Sequence, residues 1–207
     1  MVDGIAAAAD RARTLLRGGR RVLVGIAGSP GSGKTTFARA LVDALGPDAA
    51  YLPMDGFHLA NSTLDRLGNH DRKGAIDTFD GAGFVALLHR VTVELETTVY
   101  APGFDRAVDE GVAGSIAIEP DHRIVVVEGN YLLIPADPWG TVRDLLTEAW
   151  FCSTPEEDRL VRLIDRHTRH GRTPEAAAVW ARDIDGANAV VIEATVDRAD
   201  LVISQWR

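Results

Sequence analysis

Apolar residues along this chain of 207 residues follow two rhythms, one of short unbroken runs and one of helical spacing. The run Ile124-Val125-Val126-Val127 is β-branched throughout, as in a parallel strand covered on both faces. A similar run, Val22-Leu23-Val24-Gly25-Ile26-Ala27, predicts a first strand from about Arg21 to Ala27. Ala50 to Met54 predicts a strand ending at Asp55, and Glu148 to Phe151 and Leu201 to Ser204 predict two more. An amphipathic helix is expected from about Ile5 to Arg17, stopped at Gly18-Gly19. Thr36-Phe37-Ala38-Arg39-Ala40-Leu41-Val42 begins another, which Gly46-Pro47 ends. Alternation between about Thr97 and Ile118, around Ala101-Pro102-Gly103 and Gly111 to Gly114, predicts an inserted hairpin.

Strands alternating with helices imply a parallel sheet with right-handed crossovers, whose ligands gather beyond the carboxyl ends of the strands. Three such ends present Gly28, Asp55 and Glu128. At 46% hydrophobic, the chain can bury one substantial core, and its length suits a single domain over residues 1–207. A formal charge of -8 argues against a nucleic-acid surface and reserves any arginine cluster for a small anionic ligand. The single cysteine, Cys152, excludes an intramolecular disulfide and reads as a buried, reduced thiol. No stretch approaches a membrane span, and Met1-Val2-Asp3-Gly4-Ile5 carries acid where a secretory signal needs base. A cytoplasmic protein without a membrane partner is expected, with a homodimer left open.

The segment between the first strand and its helix carries the strongest chemical signal. Gly28-Ser29-Pro30-Gly31-Ser32-Gly33-Lys34-Thr35 satisfies G-x-x-x-x-G-K-[ST], and Thr36 continues it. Glycines let backbone N–H groups point inward at phosphates, and the following helix aims its positive end there. Lys34, expected on an exposed loop, neutralises the outer phosphates; Thr35 is placed to bind Mg²⁺ together with the nucleotide.

Asp55, in Met54-Asp55-Gly56-Phe57-His58, is placed to accept a proton from an attacking hydroxyl, with Gly56 permitting close approach of a ligand. Glu128 should reach the metal directly or through water. Arg159, Arg162, Arg166 and Arg169 share one helical stripe and Arg172 follows Gly171, which suggests a lid over the transferring phosphoryl group. Among the histidines, His58 is the candidate for substrate contact.

With these residues in place, the chain resembles the phosphoribulokinase, uridine kinase and bacterial pantothenate kinase superfamily. The resemblance rests on GSPGSGKT, MDGFHL, RKGAIDTFD, APGFDRAVDEG, VVVEGNYLL and RLVRLIDRHTRHGR in that order. It implies an α/β, P-loop NTPase fold: a three-layer sandwich with a mainly parallel five-stranded sheet, a hairpin insertion and an arginine-rich helical lid. The substrate-binding insertion then covers about residues 55–120 and the lid about 155–185. The resemblance makes Asp55 the catalytic base, Glu128 a metal-site residue, Asp77 a holder of substrate hydroxyls, and Arg166 and Arg172 lid arginines. Where uridine kinases place a tyrosine and a histidine against the base, this chain has Phe104 and Asp109. RKG is closer to the pantothenate kinases; MDGFHL and VVVEGNYLL are most similar to a fructose-transport-system or nucleoside-kinase-like subgroup.

The expected activity is transfer of the γ-phosphoryl group of ATP, with Mg²⁺, to a hydroxyl of a small sugar or ribosyl-type metabolite. The alternatives are a uridine or other nucleoside kinase and a pantothenate kinase. A GTPase switch would need an N-K-x-D type segment, but the only lysines are Lys34 and Lys73, and Lys73 follows Arg72. A motor or transporter ATPase would need an oligomer-completing signature, and none is found.

Overall fold

A computed structural model of the chain describes residues 4–16 and 19–204. Five strands, β1 (Val22–Ala27), β2 (Ala49–Pro53), β5 (Ile124–Glu128), β6 (Glu148–Cys152) and β7 (Leu201–Ile203), form one sheet in the order β2-β5-β1-β6-β7. Every neighbouring pair is parallel. The remaining strands, β3 (Val99–Asp105) and β4 (Glu110–Ile118), form the antiparallel hairpin. Seven α-helices complete the described residues: α1 (Gly4–Thr14), α2 (Lys34–Leu45), α3 (Asn61–Leu67), α4 (Gly81–Val93), α5 (Gly140–Leu145), α6 (Glu156–Arg169) and α7 (Pro174–Glu193). The first helix ends at Thr14; the expected continuation through Arg17 to a Gly18 stop falls partly outside the described residues.

Alternation along the central strands sorts the core into two halves and yields the three layers. Val22, Val24, Ile26, Val126 and Trp150 pack against α1 and α2 through Ala8, Ala12, Phe37 and Leu41. Leu23, Val125, Val127 and Phe151 face the other way, onto Phe84 and Leu88 of α4, Val142 of α5 and the base of the hairpin. Both faces of β1 and β5 are covered, which is why their sequences lack polar alternation. Cys152 is buried among these residues, and burial pushes its thiol up to about 12. No helix among the described residues is long and apolar enough to cross a membrane.

Register brings the chemistry to one edge. Ile26 of β1 and Pro53 of β2 both pair with Glu128 of β5, so Gly28, Asp55 and Glu128 leave neighbouring strands at the same level.

Candidate active site

Three glycines shape the loop between β1 and α2, with φ of 150° at Gly28, 79° at Gly31 and 88° at Gly33. A Cβ on Gly28 would lie 2.7 Å from both the Cys152 carbonyl oxygen and Ser32 Oγ; one on Gly31 would lie 2.8 Å from the Arg159 carbonyl oxygen. Ser32 Oγ is buried and has no hydrogen-bond partner among the described residues. On its outer side the loop is tied down. The Ser29 hydroxyl donates to Glu193 Oε1 (2.5 Å), Thr154 Oγ1 donates to the Ser32 carbonyl (2.9 Å) and Arg162 Nη1 donates to the Gly31 carbonyl (3.2 Å).

That last contact divides the expected arginine lid. Arg159 is buried behind the loop, its Nη1 3.5 Å from the Pro30 carbonyl, and Arg162 joins it there. Arg169 pairs with Asp165 on the exposed side of α6. Of these five arginines, only Arg166 and Arg172 line the cavity. Helical spacing puts Arg159, Arg162, Arg166 and Arg169 on one stripe; contact with the loop carbonyls of Pro30 and Gly31 makes the first two braces of the loop.

Lys34 is the first residue of α2 and lies over Glu128, Nζ to Oε1 3.7 Å, with only 12% of its side chain exposed. The expectation of an exposed loop lysine is thereby corrected. Thr35 Oγ1 (3.2 Å) and the Tyr51 hydroxyl (2.7 Å) both donate to Glu128 Oε2. Burial pushes the Glu128 carboxyl above its ordinary range against the pull of Lys34, and burial beside that carboxylate raises the Tyr51 phenol as well. Glu128 sits beneath the cavity floor formed by Lys34 and Thr35.

Asp55 lies in a 3-10 turn, Met54–Phe57, directly after β2. Gly56 makes room for the hairpin and not, as expected, for a ligand: a Cβ there would collide with the Pro102 carbonyl, and one on Gly111 would collide with the Gly56 carbonyl. The hairpin thus docks backbone to backbone beside Asp55.

A cavity of about 520 Å³ opens over these groups, lined by Lys34, Thr35 and Asp55 below, His58, Phe104 and Asp109 on the hairpin side, and Arg166 and Arg172 opposite. His58 Nδ1 is 2.8 Å from the Asp55 carbonyl, which can only accept, so Nδ1 carries the hydrogen and Nε2 keeps its lone pair. Its ring lies against Phe79 and Phe104, with centroids 4.0 and 4.8 Å away, and burial lowers its pKa. Asp109, at φ 57°, pairs with Lys73 (2.7 Å), whose ammonium also donates to Asn61 Oδ1 (2.6 Å) and lies over the Phe104 ring. Asp77 stands outside this lining. Half-exposed, it receives Arg72 and Asn69 on Oδ2, leaving Oδ1 without a partner among the described residues.

Several lining residues escaped the sequence reading. Trp180, Ile184 and Asn188 form an i, i+4, i+8 stripe on α7 facing the cavity, a spacing that was available in the sequence. Arg172 covers one face of Trp180 at 3.8 Å from the ring centroid, and Asp185 holds His167 Nε2 at 2.7 Å across the α6–α7 pair. Arg106 and Asn130 complete the wall.

Residues 23–207 match the model of the phosphoribulokinase / uridine kinase family. A Schizosaccharomyces pombe protein, provisionally named a uridine kinase, is 34% identical over 209 residues, covering 96% of this chain and 89% of its own length. The ATP-dependent kinase-like protein notR' of Aspergillus versicolor is 34% identical over 164 residues, covering 74% of this chain and 95% of itself. The crystal structure of a kinase from Silicibacter sp. TM1040, provisionally named for a fructose transport system, superposes with a TM-score of 0.89 at 38% identity, over 96% of this chain and 98% of that one. The chain therefore belongs to the phosphoribulokinase / uridine kinase family of P-loop kinases.

Proposed function

We propose that this chain transfers the γ-phosphoryl group of ATP, with Mg²⁺, to a primary hydroxyl of a polyhydroxylated small molecule, a sugar or ribosyl-type compound. One juxtaposition carries the reading: Lys34 and Thr35 of the phosphate loop face Asp55 across a single cavity that Arg166 and Arg172 overhang.

The residues suit both groups. Positive φ at Gly28, Gly31 and Gly33 is the backbone geometry that lets successive N–H groups converge on an anion. Thr35 donates its proton to Glu128, which leaves the Thr35 oxygen lone pairs for a hard cation, and Glu128 offers oxygen ligands directly or through water. Bound magnesium nucleotide supplies the electrophilic phosphorus. Lys34, Arg166 and Arg172 then offset the charge spread over the phosphoryl oxygens, and Asp55 accepts the proton of the attacking hydroxyl. If Glu128 serves through the metal, Glu128→Gln is expected to lower activity in a way that raised Mg²⁺ partly restores. A deficit that no Mg²⁺ concentration changes would remove Glu128 from that role.

For the acceptor, the carboxylate of Asp109 and the Nε2 lone pair of His58 supply hydroxyl-accepting groups, and the reading adds Oδ1 of Asp77, which stands outside the cavity lining. Asp77→Ala is expected to raise acceptor KM sharply and spare KM for ATP; steady-state kinetics with each substrate varied checks it. A nucleoside acceptor is the second reading, favoured by Trp180 and Asn188 on the cavity wall. Against it, Arg172 already covers one face of Trp180, and Phe104 offers no hydrogen bond to a base edge. The deciding experiment is a panel of sugars, nucleosides and pantothenate with Mg·ATP, scored for phosphorylated product. Uridine turnover above about 10⁴ M⁻¹s⁻¹ in kcat/KM would restore the nucleoside reading.

A further inference from the structure

We infer that Glu193, in the last turn of α7, is a positioning residue for the nucleotide: its carboxylate holds the phosphate loop in shape through the Ser29 hydroxyl. The inference rests on the nucleotide reading above, and it concerns a residue outside the cavity.

A loop with left-handed glycines at 28, 31 and 33 has many conformations available, and only a few of them converge its N–H groups on one point. Outer ties select among them. In the second half of the loop the ties come from the β6–α6 side, where Arg162 and Thr154 hold the carbonyls of Gly31 and Ser32. In the first half, Ser29 has no exposed surface, so its hydroxyl cannot turn to water. It donates instead to Glu193 Oε1 at 2.5 Å, a charge-assisted bond of the stronger class.

A carboxylate so near a phosphate site works against nucleotide charge, so its presence is explained by geometry and not by electrostatics. The hydrogen bond should therefore matter more than the charge. Glu193 also shares its helix with Asn188 and Asp185, only about 8 to 12 Å away along the axis at 1.5 Å per residue. One rod thus sets both the cavity wall and the loop.

The test measures Mg·ATP binding by calorimetry on the full chain, for wild type, Ser29→Ala, Glu193→Ala, the double variant and Glu193→Gln. Each alanine variant is expected to weaken binding about tenfold, the size of one charge-assisted hydrogen bond. The double variant should be no weaker than either single one, because both remove the same bond. Glutamine keeps an acceptor oxygen and should bind within about threefold of wild type. Melting midpoints without ligand should stay within about 2 °C, which separates positioning from folding. Additive losses, a glutamine variant as weak as alanine, unchanged ATP affinity, or a parallel fall in midpoint would each overturn the inference. Wild type that binds Mg·ATP normally beside unaffected variants sinks this inference alone; wild type that fails to bind Mg·ATP sinks the nucleotide reading and takes this one with it.

Discussion

Asp55→Asn is expected to lower kcat by about 10² to 10⁴ while leaving KM for ATP and for the acceptor nearly unchanged. Asparagine keeps the shape of the side chain on its 3-10 turn and keeps the backbone carbonyl that fixes His58. What it loses is the capacity to take a proton. The measurement is steady-state kinetics with whichever acceptor the panel identifies. A change confined to KM would make Asp55 a binding residue and leave the base to be found elsewhere.

Lys34→Ala should abolish nucleotide-dependent turnover, and the structure adds a second effect. Lys34 is the cation beside the buried Glu128. Without it the carboxyl, already raised by burial, goes higher still. In the folded variant Glu128 then holds its proton at pH values where the unfolded chain has released it. A group with a raised folded pKa stabilises below its unfolded pKa and loses that contribution as pH rises toward the folded one. Thermal melting should therefore show Lys34→Ala falling further behind wild type as pH climbs from the ordinary carboxylate range toward neutrality. A stability gap independent of pH would mean that Glu128 does not respond to Lys34.

The parallel strands and the loop they carry could be read from the sequence because their constraints are local. A strand covered on both faces must be apolar at every position, as in Ile124 to Val127, and a phosphate cradle needs its glycines in order. Partner choice is not local. Helical spacing puts Arg159, Arg162, Arg166 and Arg169 on one stripe, yet only the packed fold decides that the first two meet loop carbonyls and the third meets the cavity. Likewise Gly56 signals a close approach without saying of what, and the answer is the hairpin backbone. The region from Asn61 to Thr78 breaks into α3 and two short 3-10 turns, too brief for periodicity to register. Glu193 was invisible for a simpler reason: one glutamate at the end of a long helix carries no pattern.

Both lysines of the chain, Lys34 and Lys73, line the cavity with little side-chain surface, 12% and 11% exposed. The molecule's outer surface therefore carries its positive charge almost wholly on arginine. Amine-directed chemistry that would decorate an ordinary protein at random finds, apart from the α-amino group, only these two shielded nitrogens. An acylating dye or crosslinker of limited size thus becomes an occupancy probe, its uptake falling as ligands fill the space around Lys34, and immobilisation through lysine would couple the protein by the very groups a binding assay needs free.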